Sequence, residues 1–325
     1  MKKFLIIRFS SIGDIVLTSP IIRCLKLQVI ASQVHFLTKK TYSDLVENNP
    51  FIDKTFYLED NLQSIIRQLK KEKYDYIIDL HHNLRSFRIK SALGIKSFSF
   101  PKLNFEKWLL VNFKINKLPK THIVDRYFET LKTFGVVNDQ SGLDFFIPEK
   151  EEVNCQNYSL NPDDYIAFCI GGKFATKKLP VGKIISICKK INKPIVLLGG
   201  LEDVEAGEQI VKNCPSGVIN LCGKVSLFHS ASLIRQSQKV LTHDTGMMHI
   251  AAAFKKEIAS IWGSTVPEFG MSPYYGRYPV LNSCFSVPEL SCRPCSKLGF
   301  ERCPKGHFQC MNLIEEGAVS AFVND

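Results

Sequence analysis

Apolar positions along the chain gather in short unbroken runs rather than alternating with polar ones. In the first half these runs are residues 4–7, 34–37 and 76–80. In the second half they are 165–170, 195–198, 218–221, 239–242 and 258–262. Between them the apolar residues fall at helical spacing, over 20–29, 62–71, 181–190, 204–212 and 227–236. Strands without polar alternation, each followed by an amphipathic helix, belong to parallel sheets covered on both faces. The rhythm lapses after Asp144-Phe145-Phe146-Ile147-Pro148-Glu149, where a polar stretch follows, and resumes at Tyr165. The pattern predicts an α/β protein of two Rossmann-like, doubly wound domains, 1–150 and 151–325, facing each other across a cleft. The last helix is a candidate to pack back on the first domain. No repeat of the short solenoid kind is present.

Composition narrows this picture. The 325 residues suffice for two domains, and a hydrophobic content of 45% gives each half a core, which excludes a disordered chain. The opening Met1-Lys2-Lys3-Phe4-Leu5-Ile6-Ile7 imitates a signal peptide, but the apolar run stops at Arg8 and no small-residue cleavage site follows. No apolar stretch approaches the roughly 20 residues that span a bilayer. The expectation is a soluble, unexported, cytoplasmic protein. Its net charge of +11 suits nucleic acid, an anionic membrane surface or a phosphorylated substrate. Between Arg88 and Lys120 eight basic residues meet one acidic residue, Glu106, with Phe98, Phe100, Phe105, Trp108 and Phe113 interleaved. This is either a solvated basic loop over core aromatics or a surface facing lipid head groups or an anionic acceptor. The absence of a nucleic-acid motif, with the basic cluster confined to one segment, argues against a nucleic-acid partner.

Of the 11 cysteines, Cys24, Cys169, Cys188 and Cys222 lie in apolar or helical runs, as buried reduced thiols do. The tail differs: Cys292-x2-Cys295 precedes Cys303, His307 and Cys310. A structural zinc on Cys292, Cys295, Cys303 and Cys310 and a set of free thiols packing the tail are both open readings.

In open parallel sheets ligands bind beyond the carboxyl ends of the strands, so the segments after each run carry the chemistry. The first is Arg8-Phe9-Ser10-Ser11-Ile12-Gly13-Asp14, where Gly13 permits a tight turn and Asp14 reaches the lip of the cleft; Ser11 and Asp14 as mere helix caps is the plainer alternative. Gly171-Gly172-Lys173-Phe174-Ala175-Thr176-Lys177-Lys178-Leu179-Pro180 sets glycines, a hydroxyl and lysines ahead of a helix, which suits a diphosphate without being a Walker loop. Gly199-Gly200-Leu201-Glu202-Asp203 offers a carboxylate to a ribose hydroxyl or to the helix dipole. His243-Asp244-Thr245-Gly246-Met247-Met248-His249 is the strongest: strand end and helix start coincide, so the first amides point at an anion with Thr245 as a further donor. His249 lies one turn into that helix. Gly263-Ser264-Thr265 ends a further run. A nucleotide is thus expected on the second domain and an acceptor on the first, beside Asp14 and Asp79-Leu80-His81-His82-Asn83-Leu84-Arg85-Ser86.

Taken together, Ser10-Ser11-Ile12-Gly13-Asp14 with Pro20, and Asp244-Thr245-Gly246-x2-His249-x-Ala251-Ala252, resemble glycosyltransferase family 9, the ADP-heptose:lipopolysaccharide heptosyltransferases. The matching segments keep the family's order across nearly the whole chain. The resemblance implies the GT-B fold and an inverting, metal-independent transfer with no cofactor. It also implies a nucleotide-sugar donor, ADP-heptose, an anionic lipid-linked saccharide acceptor, and a peripheral place at the inner face of the cytoplasmic membrane. It casts Asp14 as general base. Ser11, Gly13, Thr176, Lys177, Glu202, Asp244, Thr245, Gly246 and His249 are expected on the donor, and Asn83 and Arg85 on the acceptor. Lys178-Leu179-Pro180 departs from the family's commoner aromatic-Pro ending. The alternative is a noncatalytic nucleotide-sugar-binding or epimerase-like GT-B protein; release of free sugar or epimerisation without acceptor distinguishes it.

Overall fold

A computed structural model describes residues 2–214 and 217–325; Met1, Pro215 and Ser216 lie outside the described residues. The contact pattern divides the chain into two compact units. One comprises Met1–Lys102, Thr121–Phe146 and Tyr274–Tyr278, and the other Leu103–Lys120, Ile147–Pro273 and Pro279–Asp325.

The first unit is built on β1 (Lys2–Ile7), β2 (Ser32–Lys39), β3 (Lys54–Leu58), β4 (Tyr76–Asp79) and β5 (Ser97–Ser99), in the order β3-β2-β1-β4-β5. Every neighbouring pair is parallel. The second unit holds β6 (Ile166–Cys169), β7 (Ile195–Leu198), β8 (Val218–Asn220), β9 (Lys239–His243), β10 (Glu257–Trp262) and β11 (Asn282–Ser286), in the order β11-β10-β9-β6-β7-β8, again all parallel. Counted from its own first strand, each half starts in the middle of its sheet, runs to one edge, and returns to fill the other side. The order therefore reverses between β1 and β4 in one unit and between β6 and β9 in the other. At those points successive loops diverge and leave a crevice at the carboxyl ends.

The unbroken apolar runs follow from this arrangement. Central strands are covered on both faces, so Phe4, Leu5, Ile6 and Ile7 of β1 and Ile166, Ala167, Phe168 and Cys169 of β6 are all buried. Each large side chain so removed from water contributes roughly 1.5–3 kcal/mol. The helices cover the faces with one stripe each. Leu62–Lys71 starts where the Asn61 side chain accepts from the amides of Gln63 and Ser64, and it turns Ile65, Ile66 and Leu69 inward.

Three strands lie outside the apolar runs: β3, β5 and β11. All are sheet edges, half solvated, and too polar or short to form such a run. Two segments sort differently from a single boundary near residue 150. Leu103–Lys120 belongs to the second unit, and Tyr274–Tyr278 to the first. The latter is fixed tightly. Gly276 has φ +64°, and a Cβ there would lie 2.2 Å from the Gln140 carbonyl oxygen, which accepts from the Arg277 amide at 2.7 Å. The last helix is Glu316–Asn324. It belongs to the second unit, where Val319 and Val323 join the core under the sheet and Glu316 pairs with Lys183 at 3.0 Å. Among the described residues no helix is long and apolar enough to cross a membrane.

Candidate functional site

In the first unit the chain leaves β1 through Arg8 and turns into the short helix Ile12–Val16. Asp14 Oδ2 accepts from the Ser11 amide at 3.1 Å and from its hydroxyl at 2.9 Å. Oδ1 pairs with the Arg8 guanidinium at 2.6 Å. Asp14 caps the turn and lies beyond the end of β1. Gly13 is buried, and its carbonyl accepts from Leu17 inside the turn. Arg8 is the residue that sequence reasoning missed, although a cation ending an apolar strand was the available signal. Its other donors reach the carbonyls of Ser10 (2.8 Å) and Leu80 (2.5 Å) and the Tyr127 hydroxyl (3.1 Å). Burial alone would raise the Asp14 carboxyl, but the Arg8 charge and the bonds from Ser11 outweigh it and hold it below the ordinary range. Next to this pair, burial and then the Arg8 charge lower His81 to about 4, so it is neutral at physiological pH.

The segment after β4 is organised by Asp79, which is buried. Its carboxylate accepts from the amides of His81 and His82, the Ser86 hydroxyl and the Lys90 ammonium. The helix Leu84–Leu93 begins there, with the Asn83 side chain accepting from the Ser86 amide at 2.9 Å. The side-chain oxygen of Asn83 is therefore engaged as a cap, while Arg85 on the same turn is exposed.

In the second unit the loops after β6, β9 and β10 converge. Lys177 Nζ meets Asp244 Oδ2 at 2.6 Å and donates to the Asp244 carbonyl at 3.2 Å. The Thr265 hydroxyl donates to the same Oδ2 at 2.6 Å. An ammonium has three donors, so one remains to Lys177 beyond these two contacts. Thr245 occupies the N-cap position of the helix Gly246–Ala253 without making a side-chain capping bond, and its buried hydroxyl oxygen has no hydrogen-bond partner among the described residues. A Cβ on Gly172 would lie 3.1 Å from Thr245 Cγ2, which shows how closely the glycine loop approaches the helix start. The arrangement is a cation, an orphaned hydroxyl and a helix N-terminus at the carboxyl end of a parallel sheet, the chemistry that holds an anion.

Other expected residues take different places. Thr176 is buried, and its hydroxyl is spent on the tail: it donates to the Phe300 carbonyl at 3.1 Å and accepts from the Phe300 amide at 2.8 Å. His249 is buried on the first turn of its helix. Glu202 is exposed, whereas its neighbour Asp203 is buried, accepts from the Gly200 amide at 3.0 Å and pairs with Lys178 at 2.9 Å. His243, at the end of β9, was also missed. Burial lowers it to about 3, and its Nε2 accepts from the Leu179 amide at 3.0 Å, fixing the exit of the lysine loop.

Arg293, from the cysteine-rich tail, is buried and donates to the carbonyls of Gly263 (2.7 Å), Trp262 (3.1 Å), Thr265 (3.2 Å) and Val287 (2.7 Å). It holds the loop that aims Thr265. The tail was open to two readings, zinc ligands or free thiols packing the tail. Among the described residues no three His, Cys, Asp or Glu side chains are grouped to hold a metal ion. Cys292 Sγ lies 3.8 Å from His307 Nε2, while Cys295 Sγ turns to the Cys292 carbonyl at 3.1 Å. Burial pushes Cys295 and Cys310 up to about 11, which keeps both protonated. Cys24, Cys169, Cys188 and Cys222 are buried free thiols.

Comparison with known proteins bears on this geometry. Residues 62–299 match the family described as glycosyltransferase family 9 (heptosyltransferase). The lipooligosaccharide heptosyltransferase 2 of Campylobacter jejuni is 31% identical over 305 residues, covering 90% of this chain and 92% of its own length. A glycosyltransferase family 9 crystal structure from Veillonella parvula superposes with a TM-score of 0.78 at 21% identity, covering 98% and 95% of the two chains. The heptosyltransferase WaaC of E. coli, solved with ADP, gives 0.69 at 16% identity, covering 99% and 98%. The fold shared with these structures is GT-B.

Proposed function

The chain belongs to glycosyltransferase family 9, and from that premise we propose that it transfers heptose from ADP-heptose to the saccharide of a lipopolysaccharide core or a related anionic, lipid-linked acceptor. The observation that carries the donor side is the Lys177–Asp244–Thr265 cluster beside the unpartnered Thr245 hydroxyl. The diphosphate leaves as an anion, so the site must stabilise negative charge as the glycosidic bond breaks. The remaining Lys177 proton, the Thr245 hydroxyl and the first amides of the helix Gly246–Ala253 supply that stabilisation from fixed positions. Both contacts to the Asp244 carboxylate fall on Oδ2, so Oδ1 is the oxygen that accepts from sugar hydroxyls. Gly246, first in that helix, presents its amide to the diphosphate, and exposed Glu202 takes a ribose hydroxyl.

On the first unit, inversion requires a base that accepts the proton of the attacking acceptor hydroxyl. Asp14 is that base in this reading, with Arg8 and Ser11 holding it ionised and aimed. Exposed Arg85 meets acceptor phosphate or carboxylate groups. The reaction takes place at the inner face of the cytoplasmic membrane, where such an acceptor is anchored.

Two measurements test this reading. Calorimetry with ADP, UDP and GDP should show selective ADP binding, and mass spectrometry of a lipid-linked saccharide incubated with ADP-heptose should show one added heptose. Asp14→Asn should lower turnover about 10²–10⁴-fold, the usual contribution of a positioned base, with ADP affinity unchanged. Free heptose or an epimerised donor as the sole product, or an Asp14→Asn enzyme of full activity, overturns the transfer mechanism.

A further inference from the structure

We propose that the helix Asn104–Phe113, with the stretch that follows to Lys120, is a docking element for an anionic lipid surface. The function proposed above gives a reason for such an element, but the element itself stands on separate observations. One side of the helix is anchored within its own unit. Leu110 is buried there. Lys107 Nζ sits 5.9 Å from the centre of the Phe269 ring. Lys114 Nζ donates to the carbonyls of Cys292 (3.1 Å) and Pro294 (2.7 Å).

The other side is apolar and faces solvent: Phe105 is 65% exposed, Trp108 48%, Phe113 58% and Ile115 47%. These side chains are not scattered. The rings of Phe105 and Trp108 stack with centroids 6.1 Å apart, and Trp108 and Phe113 meet edge to face at 5.2 Å. A contiguous exposed aromatic patch on an anchored helix marks a surface that something covers.

The charge around the patch identifies the occupant. Residues 102–120 carry five lysines against one glutamate, and of these Lys117 and Lys120 are exposed just after the aromatics. Aromatic rings settle at the depth of lipid head groups, and lysines beside them meet the phosphates. A second copy of the chain seated by the same patch would bring like-charged lysines together, which disfavours self-association.

The chain has its own reporter. It contains two tryptophans, and the other one, Trp262, is buried at 1% exposure. Vesicles of phosphatidylglycerol and phosphatidylethanolamine should shift the emission of the full chain to the blue and pellet it. Pure phosphatidylcholine vesicles should do neither, and high salt should reverse the effect. Trp108→Phe should keep sedimentation and lose the spectral shift. Phe105→Ser with Phe113→Ser should weaken partitioning at least tenfold. Lys117→Gln with Lys120→Gln should weaken it about 25-fold, each lysine near such a surface being worth roughly a factor of five. Absence of the shift on acidic vesicles, or an equal shift on neutral ones, overturns the proposal. So does a concentration-dependent dimer in ultracentrifugation that Trp108→Ser disperses, because the occupant is then a second copy. None of these readouts uses turnover, so their failure leaves the transferase reading standing, and loss of ADP binding leaves this one.

Discussion

Arg8 makes four polar contacts, and one of them is to the carboxylate assigned to accept a proton. The pair has a definite pH signature. The folded value of Asp14 lies below the ordinary carboxylate value, so its stabilisation is complete above the unfolded value and fades as pH falls through the folded one. The acid limb of kcat/KM therefore belongs below the normal carboxylate range. Arg8→Met removes the counter-charge and leaves burial, the largest upward influence, in place. The limb should then move to higher pH in a pH–rate profile, while Arg8→Lys should hold it near its original position. At the other end of the chemistry, Lys177→Ala should weaken ADP binding about 10- to 100-fold by calorimetry, as expected for a hydrogen bond to a charged group. Unchanged affinity would move the phosphate role to Lys173 or Lys178.

The loops between the elements are held by buried groups that have no motif of their own. Arg293 bridges four carbonyls around residues 262–265 and 287, and its removal leaves buried acceptors without partners. Arg293→Ala should cost about 3 kcal/mol or more in urea unfolding, and it should also lower donor affinity, because Thr265 loses its aim at Asp244. A variant that is destabilised but binds ADP normally would uncouple the clamp from the site. Elements like this mark the limit of sequence reading. Buried central strands announce themselves as apolar runs, and Asn61, Asn83 and Thr245 stand where helix starts need them. The edge strands β3, β5 and β11 share half their surface with water and leave no run. That Asp14, Lys177 and Asp244 each lie beyond a strand was legible from the apolar runs before them. Thr176 looked identical in that respect, and only the coordinates show its hydroxyl turned to Phe300. Arg8, His243 and Arg293 act through carbonyls and amides far along the chain, and spacing carries no trace of such partners.

At the scale of the whole molecule, the groups after β6, β9 and β10 proposed to hold the diphosphate belong to one unit, and Asp14 with Ser11 and Gly13 to the other. Ligand binding should therefore stabilise the halves unequally. ADP at 100 times its Kd should add about 2.7 kcal/mol. Hydrogen exchange should show that protection over residues 171–180 and 243–249, and little change over 8–16. Protection of 8–16 by ADP alone would mean that the first unit also takes part in holding the nucleotide.

The bond between Thr176 and Phe300, together with the grip of Arg293 on residues 262–265, makes the cysteine-rich tail a structural support of the loops proposed to hold the donor rather than an appendage. Chimaeras should feel this directly. A tail borrowed from a relative, joined after residue 290, inherits someone else's partners for the glycine–lysine loop. Such a hybrid should regain nucleotide binding only when residues 171–180 travel with the tail as one cassette.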